Sequence, residues 1–118
     1  MRFRDVLPKL RSGIKEIQAV LLVGPHGILD HVQDDPQLHL ETIAGEYATL
    51  LRVARSASQD SGSGNLVENI VVSEHSVMIS RSISPDHFLI LLARSRDQIG
   101  RARYELKKAA LEMANSDR

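Results

Sequence analysis

The sequence predicts a single mixed α/β domain of the α+β kind, in which a five-stranded, mainly antiparallel sheet carries helices on both faces. Three observations predict it. The chain has 118 residues, the length of one domain. Five short aliphatic runs are separated by turns, and three longer segments repeat their apolar residues at helical spacing. The expected order is αββαβββα over residues 1–118, with the core at about 2–114.

The first half of the chain predicts a helix, a hairpin and a second, long helix. These elements are expected at residues 2–14, 17–23, 28–32 and 36–58. The first strand is an almost unbroken aliphatic run, typical of a strand buried on both faces, and a Gly-Pro-His-Gly turn follows it. Asp34 or Asp35 is the expected N-cap of the long helix, because Pro36 then stands in its first turn, where a missing amide hydrogen costs nothing.

The second half predicts three strands and a final helix. A polar connection rich in Ser and Gly ends the long helix, and the strands are expected at residues 66–73, 76–83 and 87–94. The run Phe-Leu-Ile-Leu-Leu at 88–92 has no polar alternation, so we place this strand in the centre of the sheet. Asp97 is the expected cap of the last helix, which ends near Ala114.

The composition argues against several classes of function. Lys and Arg together number 15, as do Asp and Glu, so no excess of positive charge would attract nucleic acid. Aromatic residues are 3% and Trp is absent, which leaves little for stacking on bases or sugars. The lack of Cys excludes disulfides and thiolate ligands and fits a cytoplasmic protein. No apolar run approaches the roughly 18 residues of a membrane span.

The sequence contains no evident catalytic constellation. It has neither a GxxxxGK[ST] phosphate-binding loop nor a GxSxG nucleophile elbow. Its His residues are scattered without an HxH or HxxxH pair, which favours solvated His over a metal site. We therefore expect no enzyme activity, no cofactor and no metal.

The long middle helix carries the most informative surface. Its apolar residues cover about half of its circumference, more than packing on one sheet face requires. The other side carries small and polar residues, and small residues allow another backbone to approach closely. We expect a partner to contact Glu41, Gly45, Thr49, Arg52 and Ser56. An ordinary exposed face with incidental small residues is the alternative.

Basic residues cluster in and just before the last helix. They are Arg94, Arg96, Arg101, Arg103, Lys107 and Lys108. A solvated face whose late Lys residues complement the helix dipole is the favoured interpretation. An acidic partner surface or membrane headgroups are the alternative.

The element order and four sequence strings resemble the roadblock family, the small proteins first known as a class of dynein light chain. The strings are QAVLLVGPHGIL from Gln18, IVVSEHSVMI from Ile70, FLILLA from Phe88 and QIGRARYELKKAA from Gln98. The resemblance spans essentially the whole chain. His26 departs from the family pattern, which commonly has Asp in this turn.

This resemblance implies a profilin-like fold and a dimer, formed with itself or with a related roadblock protein. Two sheets would join edge to edge through residues 66–73, and the two middle helices would lie side by side. The residues of this edge are Leu66, Glu68, Ile70, Val71 and Val72. Family members bind small Ras-like GTPases or belong to motor complexes, and one bacterial branch stimulates GTP hydrolysis.

We therefore expect a non-enzymatic, cytoplasmic dimer that binds and regulates a small Ras-like GTPase. The middle-helix residues named above would contact the switch regions of the GTPase. Arg52 or Arg55 could act as an arginine finger, although an Arg on a regular helix is usually solvated. A small-molecule sensor and a purely structural scaffold remain alternatives.

Overall fold

The computed structural model describes residues 3–116, and within them it confirms the predicted order αββαβββα. The helices are α1 (Phe3–Gly13), α2 (Leu40–Asp60) and α3 (Ile99–Ser116). The strands are β1 (Ile17–Gly24), β2 (Gly27–Gln33), β3 (Glu68–Val72), β4 (Val77–Ser84) and β5 (His87–Ala93). The expected start of the first helix at residue 2 lies outside the described residues.

The five strands form one antiparallel sheet in the order β2-β1-β5-β4-β3. Strand β5 lies in the centre, as its unbroken apolar run predicts, and pairs Ile90 with Leu21 of β1. Strands β2 and β3 form the two edges of the sheet.

Helices cover both faces of this sheet. The core between the sheet and helices α1 and α3 contains Leu10, Leu89 and Leu106. The core between the sheet and α2 contains Leu51 and Ile90. Neighbouring residues of β5 thus point into different cores, and this two-sided burial explains why the strand shows no polar alternation.

The start of α2 differs from the prediction. The helix begins at Leu40 rather than at residue 36, and His39 occupies the N-cap position without a side-chain hydrogen bond. The residues before it form a turn tied to the sheet, because the amides of Asp34 and Asp35 both donate to the carbonyl of Gln18 in β1. These contacts hold the backbone outside the helix and remove both Asp residues from the capping role.

The start of α3 also differs. One turn of 3₁₀-helix, Arg96–Gln98, precedes the α-helix. Its cap is Ser95, whose hydroxyl oxygen accepts a hydrogen bond from the Asp97 amide at 3.2 Å, so the prediction of Asp97 as the cap is wrong.

The Asp35 carboxylate joins three segments of the fold. It accepts hydrogen bonds from the Gln37 amide at 3.0 Å, from Gln18 Nε2 at 3.4 Å and from Arg94 Nη2 at 2.8 Å. The Gln37 amide is the main reason why the pKa of Asp35 lies below its usual value of 3.8, and it outweighs the opposite effect of burial. Gln18 and Arg94 lower this pKa further.

Acid is expected to destabilise the protein partly through Asp35. Because the pKa of Asp35 is lower in the folded chain than in the unfolded chain, its contribution to the free energy of unfolding is complete above about pH 4 and is lost as the pH falls through the folded-state pKa. Urea denaturation between about pH 5 and pH 2 should show a shallower acid loss for Asp35→Asn. Arg94→Gln should retain most of the loss, and a response as shallow as that of Asp35→Asn would contradict the leading role of the Gln37 amide.

Candidate functional site

The five predicted partner-binding residues, Glu41, Gly45, Thr49, Arg52 and Ser56, all lie exposed on α2. The Thr49 hydroxyl donates to the Gly45 carbonyl at 3.0 Å, and Arg52 Nη2 donates to the Thr49 oxygen at 3.2 Å. These bonds hold the Arg52 side chain along the helix surface. Together the five residues form the polar line of α2.

Part of the polar line borders a cleft of about 470 Å³ between α2 and the β1–β2 turn. Glu41, Gly45 and Arg52 line one wall, and residues 24–27 line the other. Gly27 has a φ of 122°, which favours glycine, so the turn can remain tight beside the helix. Thr49 and Ser56 do not line the cleft.

Arg55 lies apart from this cleft. Its guanidinium donates to the Pro85 carbonyl and lies 3.7 Å from the Asp86 carboxylate. Both contacts are with the β4–β5 turn, so Arg55 has a structural role in the free protein. The geometry therefore does not favour Arg55 as an arginine finger.

The other flank of α2 is apolar and partly exposed. Leu50 is 38% exposed and Val53 is 64% exposed, although Leu51 between them is buried. Tyr47 is half-buried on the same side, and burial raises the pKa of its hydroxyl. The core under α2 takes its buried sheet residues from β1, β4 and β5, but Leu50 and Val53 remain exposed, so this apolar flank is not fully covered within one chain.

Strand β3 is the apolar edge of the sheet. It runs over Glu68–Val72, so Leu66 lies before the strand instead of within it, and Leu66 packs against the core under α2. Ile70 is 36% exposed and Val72 is 49% exposed, on the face that carries α1 and α3.

The hydrogen-bond pattern shows which backbone groups of β3 are free to pair. The Ser82 amide donates to the Val67 carbonyl at 3.0 Å, and the Ser73 amide donates to the Ser76 carbonyl at 2.8 Å. Alternate residues of an antiparallel strand use opposite edges, so the backbone of Val71 faces β4. The amides and carbonyls of Glu68, Ile70 and Val72 face outward.

The opposite edge, β2, is better protected. A register shift interrupts its pairing with β1 near Leu22 and Val23, and β2 carries Asp30 and His31. Both α1 and α2 also contact β2. Bulges, charges and covering helices protect a sheet edge from pairing, whereas β3 contacts mainly β4 and presents apolar side chains.

The cleft between α2 and the β1–β2 turn opens to solvent, and the strands between the helices have buried apolar side chains. This arrangement does not favour the alternative of a small-molecule sensor, which needs an enclosing pocket. Within residues 3–116 no three His, Asp or Glu side chains gather where they could hold a metal ion. None of the helices in that part of the chain combines the length and apolar character needed to cross a bilayer.

No family model matches the sequence, and no curated protein matches it. Several solved structures are similar to this chain. The chain is 30% identical to MglC from Myxococcus xanthus, over 98% of this chain and 99% of MglC, with a TM-score of 0.68. A Roadblock/LC7 domain from Streptomyces avermitilis is 14% identical over 98% of both chains, with a TM-score of 0.84.

The chain belongs to the Roadblock/LC7 family. A structure of MglB with a tetrameric arrangement is also similar, at 17% identity over 95% of this chain and 85% of that one, with a TM-score of 0.84. Identity and geometry rank these structures differently, since MglC has the higher identity and MglB the higher TM-score. The resemblance inferred from the sequence strings is confirmed.

The polar line of this roadblock chain can be predicted from the sequence, but the cleft beside it cannot. The line follows from helical spacing alone. Its approach to residues 24–27 depends on how α2 lies over β1 and β2, which no local pattern encodes. The Gly-Pro-His-Gly turn was predicted only as a connection.

Gly45 is expected to leave room for a partner, and as a glycine within a helix it should lower the stability of the roadblock fold. A Cβ added there would meet no atom within 4 Å. Gly45→Ala should therefore raise the free energy of unfolding by about 0.5–1 kcal/mol, measured by urea denaturation, because alanine favours the helix. Gly27→Ala should lower the free energy of unfolding. The added Cβ would again meet no atom within 4 Å, but a φ of 122° is unfavourable for a residue with a side chain. Destabilisation by Gly45→Ala would contradict this view of an unfilled helix surface.

Proposed function

We propose that this roadblock chain forms a cytoplasmic dimer that binds a small Ras-like GTPase and holds its switch regions in one arrangement. The main support is the two-sided exposure of α2. Its apolar flank exposes Leu50 and Val53, and its polar line borders the cleft at the β1–β2 turn. One helix thus offers separate surfaces for a second subunit and for a different partner.

The dimer would form through β3. Outward amides and carbonyls at Glu68, Ile70 and Val72 can pair with the same strand of a second copy, which joins the two sheets into one. Such pairing would bring the two α2 helices together over the joined sheet and cover Leu50 and Val53. The tetrameric arrangement described for MglB supports self-association in the family.

The GTPase would contact the polar line. Small residues at Gly45 and Ser56 allow close approach, and Glu41 and Arg52 offer charges of both signs. The choice of a small GTPase rests on the resemblance to roadblock proteins that bind such GTPases. No catalytic group from this chain is required, because a protein that binds one switch arrangement more tightly shifts the population towards it.

Binding to a small Ras-like GTPase encoded beside this protein would test the proposal. The GTPase should be loaded with GDP or with a non-hydrolysable GTP analogue and captured on the immobilised roadblock protein. Preference for one nucleotide state is expected. Equal binding to both states, or no binding, would contradict state-selective regulation.

The rate of GTP hydrolysis would then separate the possible consequences of binding. Faster hydrolysis in the presence of the roadblock protein would identify an activator. Selective binding without faster hydrolysis would identify a protein that holds one state. If the chain neither prefers one nucleotide state nor changes the rate of GTP hydrolysis, it is a structural scaffold.

A further inference from the structure

A groove of about 300 Å³ lies at the end of the sheet where β3 begins and β4 ends, outside the polar line of α2. The C-terminal half of α3 forms its other wall. The residues on which the groove depends are Leu66, Val67, Ile83, Lys107, Ala110 and Leu111.

The groove walls are unusually apolar for an exposed surface. Val67 on the strand side is 54% exposed, and Leu111 on the helix side is 56% exposed. Leu111 lies on the outer surface of α3, where packing of the chain's own core does not need it. Large apolar side chains exposed on both sides of one groove are typical of a surface that a partner covers.

Three cations line the groove, and no carboxylate does. Two of them already have anionic partners. Arg81 lies 3.0 Å from Glu68, and Arg55 lies 3.7 Å from Asp86. Lys107 is exposed and forms no ion pair within the described residues.

Lys107 also differs from the other cations of α3. Arg101 and Lys108 lie 3.4 Å and 3.9 Å from Glu105, and Arg103 lies 2.6 Å from Glu68. Each of these three side chains thus lies beside a carboxylate, although Arg101 and Lys108 share one, whereas Lys107 beside the groove has no counterion among the described residues. This imbalance favours a partner that brings a carboxylate to Lys107.

We propose that this groove binds an amphipathic peptide segment of another protein. Apolar side chains of the segment would lie between Val67 and Leu111, and an Asp or Glu of the segment would pair with Lys107. A segment suits the site because apolar side chains on both walls, Val67 and Leu111, remain more than half exposed, whereas a small molecule is usually enclosed over most of its surface. This proposal does not depend on GTPase binding at α2.

A peptide library displayed on phage and selected on the full-length protein would test this proposal. The selected peptides should combine apolar residues with Asp or Glu. Their affinity, measured by fluorescence anisotropy, should fall on the order of tenfold in Lys107→Glu and in Leu111→Glu. Lys108→Glu, one residue along the same helix but outside the groove, should change it little.

Charge exchange provides the second part of the test. Selection on Lys107→Glu should yield peptides with Lys or Arg in place of the acidic residue, an outcome that a folding defect would not produce. Circular dichroism should show that all three variants remain folded. Peptides that bind Lys107→Glu and Leu111→Glu as tightly as the unaltered protein would overturn the proposal.

Two other occupants have distinct results. If vesicles of phosphatidylcholine and phosphatidylserine bind the protein, and Lys107→Glu and Lys108→Glu weaken that binding equally, the basic face of α3 serves a lipid surface and the peptide proposal is overturned. If Leu111→Glu dissociates a dimer in sedimentation, a second copy covers the groove, and the proposal is likewise overturned.

Discussion

Ile70→Pro is expected to convert the roadblock dimer into a monomer. Ile70 is central in β3, and its amide faces outward, so proline removes a donor that edge-to-edge pairing needs. The bond between β3 and β4 at this position is not lost, because the amide of Ile70 does not face β4. Sedimentation at micromolar concentration should shift from twice the chain mass of 13.1 kDa to the chain mass itself.

The matched control is Ile70→Ala, which removes the side chain but keeps the amide. It should retain the dimer, because it removes only a side chain that is 36% exposed. Val71→Pro is a poor test of the joining edge, because the Val71 backbone faces β4 and its loss would damage the sheet itself. If Ile70→Pro remains folded by circular dichroism and dimeric in solution, β3 is not the joining edge.

The parts of the fold predicted correctly are those in which local pattern and tertiary burial coincide. The central position of β5 follows from its unbroken apolar run, because both of its faces are buried. The predicted start of α2 was wrong because the local pattern and the tertiary contacts disagree there. Pro36 and the preceding Asp pair look like a helix start, but Gln18 and Arg94, both distant in sequence, hold Asp35 in a turn.

The two candidate surfaces, the polar line of α2 and the groove beside α3, also differ in whether the sequence predicts them. The polar line of α2 is visible in the sequence, since five exposed positions on one helix follow from its period. The groove beside α3 is not, because Val67, Ile83 and Leu111 come from three elements. A signal for it does exist in the sequence: Leu111 is a large apolar residue that falls outside the i, i+3, i+4, i+7 spacing of Leu106, Ala109, Ala110 and Met113.

Gly45→Trp is expected to abolish GTPase binding while the roadblock fold and its dimer remain intact. The free protein tolerates the change because nothing lies within 4 Å of a Cβ at this exposed position. A bound partner would have to move away from α2 along the polar line, since the indole would occupy the surface that the glycine leaves open. Affinity should fall on the order of a hundredfold, measured by isothermal titration with the GTPase in its preferred nucleotide state.

Gly100→Trp is the matched control, because Gly100 is also exposed on a helix with open space beside it but lies on α3, in the other helical layer. It should bind the GTPase as the unaltered protein does. Sedimentation of both variants should still show the dimer, which separates a blocked partner surface from a lost subunit interface. Normal GTPase binding by Gly45→Trp would exclude the polar line as the contact surface, whereas equal loss in both variants would indicate a general effect of the added indole.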